Sequence, residues 1–328
     1  MAGKGPHNDI TDVPGVRVGS AIDKAVRTGV TVIIPDAPAI VAGDVRGGGP
    51  GTRETDLLDP STLVDRADAI ALSGGSSYGL AAADGVAAFL GARGRGFRLA
   101  DRAGVPPSPI VPAAILYDLA NGGDKNWGEE PPYRRLGLEA AKAVSASPVM
   151  LGRAGAGFGA NAGAEAGGLG SASYLTDDGF IVGALVAVNS FGSVRRPGTR
   201  AFWAAPFELG DEFGGAAQNA ATGGGAADLP PDTKLAAAAA RANTTIGVVA
   251  VNAALTQGET RRLAIMAQDG IARAIRPVHG PTDGDVVFAL AAGGKAAGDP
   301  LTLTRLGSIA ADCVARAIAR AVYEAARA

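Results

Sequence analysis

The segment Asn243-Thr244-Thr245-Ile246-Gly247-Val248-Val249-Ala250-Val251-Asn252 passes from three polar residues directly into a buried-strand pattern, with no turn between them. Upstream, Gly210 to Pro231 carries Gly-Gly and Gly-Gly-Gly runs and ends in Pro230-Pro231, the composition of a loop or linker. A short alanine helix is expected from Lys234 to Ala240. Two readings of the segment stay open. It is either a strand that begins with polar residues, or a rigid strand that holds a nucleophile at its first position. In the second reading Thr244 becomes an N-terminal residue once the bond before it is cut. Its α-amine, with an unperturbed pKa of about 7.7–8.0, then serves as base for its own hydroxyl. The most economical cut is attack by Thr244 on the carbonyl of Asn243.

The rest of the composition makes such a base useful. The chain has 328 residues, 47% hydrophobic and 19% charged, enough apolar content for a sizeable core and incompatible with wholesale disorder. Lysine plus arginine number 30 against 32 acids, and no basic cluster offsets that balance, which argues against a nucleic-acid partner. Cys313 is the single cysteine, so an internal disulfide and a multi-cysteine zinc site are excluded. His7 and His279 are the only histidines, too few for a histidine-rich metal centre, and neither a metal nor an organic cofactor is expected. A Ser-His-Asp triad would have to use one of these two, and there is no G-x-S-x-G elbow and no P-loop Lys-Ser pair. Gly152-Arg153-Ala154-Gly155-Ala156-Gly157-Phe158-Gly159 has a superficial dinucleotide-fingerprint spacing, but tight packing in a glycine-rich hairpin is the better reading. Asn243-Thr244-Thr245 also fits a glycosylation sequon, which would need secretion. The first residues hold no apolar run of signal-peptide or membrane-span length, so a cytoplasmic location without a membrane partner is expected.

Along the chain, Val30 to Ile34 is a β-branched strand stopped by Pro35, and Ala69 to Leu72 is a second strand that runs into Ser73-Gly74-Gly75-Ser76 and a helix to about Ala92. A helix is expected from Arg134 to Ser145, and a glycine-dense hairpin region from Gly152 to Ser173. Phe180 to Val188 and Val286 to Ala292 read as strands covered on both faces. Leu263, Ala267, Ile271 and Ala274 share one helical face. The last helix sets Ala311, Val314, Ile318, Val322 and Ala325 against Arg316 and Arg320. Apolar strands flanked by amphipathic helices make a layered α/β or α+β domain.

Four stretches together resemble the self-cleaving N-terminal-nucleophile aminopeptidases. They are Arg46-Gly47-Gly48-Gly49-Pro50-Gly51-Thr52-Arg53-Glu54, Leu72-Ser73-Gly74-Gly75-Ser76, Gly167-Gly168-Leu169-Gly170-Ser171-Ala172-Ser173, and Asn243-Thr244-Thr245-Ile246-Gly247-Val248-Val249. That family includes the L-aminopeptidase/D-Ala-esterase/amidases, the β-peptidyl aminopeptidases and the nylon-oligomer (6-aminohexanoate) hydrolases. Threonine after asparagine, with Asp283-Gly284-Asp285 downstream, is most similar to the nylon-oligomer hydrolases. The resemblance implies an α+β, four-layer αββα sandwich in which one domain, 1–328, is processed into 1–243 and 244–328. It implies Thr244 as nucleophile, Asn243-Thr244 as the autocleavage bond, and Asn189 as an oxyanion-stabilising amide. It further implies Asp283 and Asp285 as paired acids near the nucleophile, Tyr117 as a substrate-pocket residue, and a homotetramer of processed units. From the residues alone, Asp-Gly-Asp also reads as a plain turn and Tyr117 as core packing.

One position departs from the pattern. The nylon-oligomer hydrolases carry a lysine in the glycine-rich hairpin where this chain has Ala164, so a buried cation beside the nucleophile is expected to be missing. Amide hydrolysis of small peptides, amino-acid amides or ω-amino acid oligomers is the activity implied. The alternatives are a β-peptidyl or L-aminopeptidase with little nylon-oligomer activity, an acyltransferase resembling ornithine acetyltransferase, and a non-catalytic binding protein on the same fold.

Overall fold

Side-chain alternation along one strand sets the layering. In the computed structural model, which describes residues 2–100, 102–215, 232–234, 243–297 and 299–328, the decisive segment is a strand over Thr244–Ala254. Its Ile246, Val248 and Ala250 enter one hydrophobic core, while Val249, Val251 and Ala253 enter another on the opposite face. Such a strand must be covered twice.

In chain order the elements are β1 (Val16–Asp23), β2 (Thr28–Pro35), β3 (Ile40–Val45), β4 (Thr52–Arg53), β5 (Ile70–Ser73), α1 (Ala82–Gly91), β6 (Ala113–Ile115) and α2 (Tyr133–Lys142). There follow β7 (Asn161–Ala162), β8 (Glu165–Ala166), β9 (Gly168–Leu175), β10 (Ile181–Asn189), β11 (Thr244–Ala254), α3 (Gln257–Ala274), β12 (Val286–Ala296) and α4 (Pro300–Ala325). One five-stranded sheet has the order β1-β2-β5-β6-β4, and the other β3-β12-β11-β10-β9. Between the sheets lies a core that takes Ile33, Ile70 and Leu72 from the first and Leu185, Val248 and Phe288 from the second. Helices α1 and α2 cover the outer face of the first sheet with Val86, Leu90, Leu136 and Ala140. Helices α3 and α4 cover the second with Leu263, Ile271, Leu306 and Ile318. The αββα sandwich expected from the resemblance is therefore the fold.

The helix starts follow from local chemistry. Thr256 and Glu259 form a reciprocal capping box at α3, and Asp299 accepts from the Leu301 and Thr302 amides at α4, with Pro300 in the first turn. The second helix ends at Lys142, three residues before the expected Ser145. The expected linker from Gly210 to Pro231 and helix from Lys234 to Ala240 lie mostly outside the described residues. On α4, Arg316 does not mark a solvent face. It is buried and bonds Glu212 at 2.6 Å, the Ser173 carbonyl at 2.9 Å and Asn8 Oδ1 at 2.8 Å.

The glycine-dense stretch is a packing surface. A Cβ on Gly170 would collide with the Ala317 carbonyl, and one on Gly168 with the Ala321 carbonyl, so α4 lies directly on the backbone of β9. Gly157 likewise packs against the backbone of Gly168 and Leu169, which accounts for the apparent dinucleotide spacing. Gly170→Val should force α4 off its seat and cost about 1–3 kcal/mol, as overpacked cores do. A thermal melt followed by circular dichroism checks this, and an unchanged midpoint would contradict the close approach.

Candidate active site

Register places the site. Strands β10 and β11 pair antiparallel with Val188 opposite Thr245 and Asn189 opposite Thr244. Asn189 shares its face with Leu185 and Ala187, and Thr244 shares its face with Ile246 and Val248, so both side chains point between the sheets at their edge. On the other side β11 runs parallel to β12 from Ile246 opposite Val286, and an isolated bridge between Asn243 and Asp283 carries that alignment upstream. Asp283-Gly284-Asp285 consequently lies beside Asn243-Thr244-Thr245. All of these residues except Gly284, whose backbone is discussed below, have nearly fully buried side chains.

The bond before Thr244 sits in a shaped setting. The Thr244 hydroxyl donates to the Asn243 carbonyl oxygen, and the same oxygen accepts from the Gly284 amide at 3.0 Å. An N–H aimed at that oxygen is an oxyanion-type donor. A Cβ on Gly284 would stand 2.7 Å from Thr244 Oγ1 and 2.9 Å from the Gly49 carbonyl, so no larger residue fits. The Arg46-Gly47-Gly48-Gly49 loop closes over this segment. The Arg46 amide donates to the Asp285 carbonyl at 3.0 Å and the Gly49 amide to the Asp283 carbonyl at 2.7 Å. At Gly47 and Gly48 a Cβ would strike the backbone of Asp283 and Pro281.

The two acids have different partners. Asp285 Oδ1 accepts from the Thr245 amide at 2.7 Å, and Oδ2 bonds His279 Nδ1 at 2.8 Å. Asp283 accepts from the Gly280 amide at 2.8 Å and the Phe191 amide at 3.4 Å. Burial, and secondly the charge of Asp285, push the Asp283 carboxyl up to about 6. A plain exposed turn would do neither.

Asn189 is held from several directions. Its Nδ2 donates to the Tyr117 carbonyl at 2.9 Å, and its Oδ1 accepts from the Asn161 amide at 2.9 Å and from Asn121 Nδ2 at 3.3 Å. Half-buried Tyr117 is thus tied to the site through its backbone.

A buried cation is present after all. Ala164 carries none, but its amide donates to the Asp232 carbonyl at 3.0 Å, which brings residues 232–234 across the β7–β8 turn. The Lys234 amide donates to the Phe191 carbonyl at 3.2 Å, and Lys234 Nζ reaches the Asn189 carbonyl at 3.0 Å and Oδ1 at 3.3 Å. Burial pulls its pKa down to about 7, against the opposing charge of Asp283. The expected absence of a cation is therefore corrected: it arrives from another segment. Lys234, His279, Gly284 and Asn121 are site residues that sequence reasoning missed. Gly284 lay inside the Asp283-Gly284-Asp285 segment, His279 was one of two histidines, and Lys234 stood at the head of the alanine run, but residue type alone gave none of them a role here.

Because Asp285 raises the Asp283 pKa, Asp285→Asn should lower the Asp283 midpoint from about 6. Carboxyl-carbon NMR titration of Asp283 in both proteins measures it, and a midpoint that stays put or rises would show that the two charges do not interact.

Comparison with known proteins bears on the fold and the family. The structure of a Burkholderia sp. beta-aminopeptidase superposes with a TM-score of 0.69 at 24% identity, covering 98% of this chain and 88% of that one. The L-aminopeptidase D-Ala-esterase/amidase of Ochrobactrum anthropi, described as a variant of the Ntn hydrolase fold, gives 0.70 at 22% identity, covering 98% and 87%. In sequence the chain is 44% identical to an uncharacterized aminopeptidase of Mycobacterium bovis, over 97% of this chain and 94% of that protein. It is 31% identical to a 6-aminohexanoate-oligomer endohydrolase of Kocuria sp., over 85% and 73%. The model of peptidase family S58 matches residues 8–328, and the chain belongs to this family of peptide hydrolases.

Proposed function

We propose that the chain cuts itself between Asn243 and Thr244 and then uses Thr244 as an N-terminal nucleophile to hydrolyse amide bonds in small peptides, amino-acid amides or ω-amino acid oligomers such as those of 6-aminohexanoate. The observation that carries this is the Thr244 hydroxyl lying against the carbonyl of its own preceding residue, with the Gly284 amide on the same oxygen.

In the cut, Thr244 Oγ1 attacks the Asn243 carbonyl carbon, and charge developing on the oxygen meets the Gly284 N–H. The carbon–nitrogen bond breaks, the hydroxyl proton ends on the Thr244 nitrogen, and an ester joins Asn243 to Thr244 Oγ1. Water hydrolyses that ester and leaves an Asn243 carboxylate, a free hydroxyl and a free amine. During turnover the amine takes the hydroxyl proton as Oγ1 attacks a substrate carbonyl. The proton passes to the leaving amine, and water releases the acyl group. Asn189 Nδ2 and the Gly284 N–H are the donors for the substrate oxyanion, Asp283 and Asp285 hold the Thr244 ammonium, and Tyr117 borders the substrate pocket.

Purified protein analysed by mass spectrometry should contain fragments of 243 and 85 residues (328 − 243 = 85). They should co-elute, because β11 lies between β10 and β12 and separation would expose its apolar faces. Thr244→Ala should remain full length, and efficient cleavage in that variant would end the proposal. Turnover should rise with pH as the Thr244 amine loses its proton. Asp283→Asn removes a negative charge that favours the ammonium, so it should move that rise to lower pH. A pH–rate profile of kcat/KM on an amino-acid anilide reads the direction, and a move to higher pH would place Asp283 away from the amine.

A further inference from the structure

Among the described residues Lys234 is the one lysine drawn into this site, 8% exposed, and it lies outside every motif that carries the family likeness. A buried ammonium is costly unless oxygens surround it, and here two come from a single residue, the Asn189 carbonyl and Oδ1. Its backbone is fixed by the Phe191 carbonyl, and its neighbour Asp232 by the Ala164 amide. The segment is therefore seated on the two elements that flank Asn189. The charged group set against it is Asp283, from the loop that precedes β12, and Asp283 in turn feels Asp285, which bonds His279.

We propose that Lys234 is the positioning residue of this site, the charged donor that locks the Asn189 amide with its oxygen turned away from the nucleophile and that balances the Asp283 carboxylate. The proposal rests on the reading of Thr244 as nucleophile. An asparagine amide has nearly isosteric ends, and its neighbours decide which end faces where. Around Oδ1 stand the Asn161 N–H, the Asn121 amide and the Lys234 ammonium, and the last is the only charged donor among them. Reversing the amide would set its NH2 group against an ammonium and a backbone N–H. With Lys234 in place, the Nδ2 end stays at Tyr117 and at the face shared with Thr244, where an oxyanion would form. Lys234 also lies on the 1–243 side of the proposed cut, so the nucleophile and the residue that orients its oxyanion amide come from different fragments.

The test compares the parent, Lys234→Met, Lys234→Arg and Thr244→Ala. Loss of full-length chain is followed by mass spectrometry, hydrolysis of an amino-acid anilide by kcat and KM, and Asp283 by carboxyl-carbon NMR titration. Lys234→Met should slow self-cleavage and kcat by about 10–100-fold, the range for partners that orient a reacting group, with KM nearly unchanged. It should also raise the Asp283 midpoint above about 6, since the Lys234 charge holds that carboxyl down. Lys234→Arg keeps the charge, so it should cleave faster than Lys234→Met and keep the Asp283 midpoint near the parent's. If Lys234→Met does not fold, Lys234→Arg against the parent still decides, since a charge-keeping variant with a displaced Asp283 midpoint overturns the proposal. Parental rates and pH profile in Lys234→Met also overturn it, as does Lys234→Arg no better than Lys234→Met. In those cases a Thr244→Ala chain that stays intact leaves the nucleophile assignment standing. Cleavage of Thr244→Ala would remove both.

Discussion

The constraint on which the site depends is the register of three adjacent strands. Asn189 ends β10, Thr244 begins β11, and Gly284 lies just ahead of β12, so the three stand in a row across the end of one sheet. A one-residue slip of β11 would carry Thr244 to the α3–α4 face and put Thr245 between the sheets. That slip is resisted along the whole strand, because Val248 and Ala250 would exchange cores with Val249 and Val251. The geometry of the candidate site is thus underwritten by apolar burial far from Thr244.

Around that row, glycine supplies clearance rather than looseness. Gly284 lets the Thr244 hydroxyl approach its Cα, Gly47 and Gly48 let one loop lie against the backbone of residues 281–283, and Gly168 and Gly170 let α4 rest on β9. At the first two of these approaches backbone amides become fixed donors, most usefully the Gly284 N–H on the Asn243 carbonyl. Donors built into the backbone need no reorganisation when charge develops on that oxygen.

Charge is the second economy of the site. Lys234, Asp283 and Asp285 are all buried within one polar pocket, where interactions between them are far less screened than at the surface. Burial alone would neutralise Lys234 and Asp283; the charge of Asp285 pushes Asp283 further up, while Lys234 and Asp283 sustain each other's charged forms. Asp285 is anchored instead by the Thr245 amide and His279, which ties it to the backbone of β11.

Much of this was legible in the chain itself. Apolar runs at Phe180–Val188, Ile246–Val251 and Val286–Ala292 read as strands covered on both faces, and the amphipathic spacing of Leu263, Ala267 and Ile271 supplies a cover. The polar start of β11, the Asp-Gly-Asp segment and Asn189 could likewise be named from their residue types together with family resemblance. Local sequence carries no information on which strand lies beside which, so the meeting of Asn189, Thr244 and Gly284 was decided by the sheet order. The same holds for the cation. Ala164 brings no cation to the hairpin, yet Lys234, seventy residues further along (234 − 164 = 70), reaches the site on a segment whose Asp232 carbonyl bonds that same Ala164 amide. Periodicity and composition report what a segment buries. Only the packed chain determines what a buried polar group meets, because its partners come from wherever the fold brings an oxygen or a charge within bonding distance.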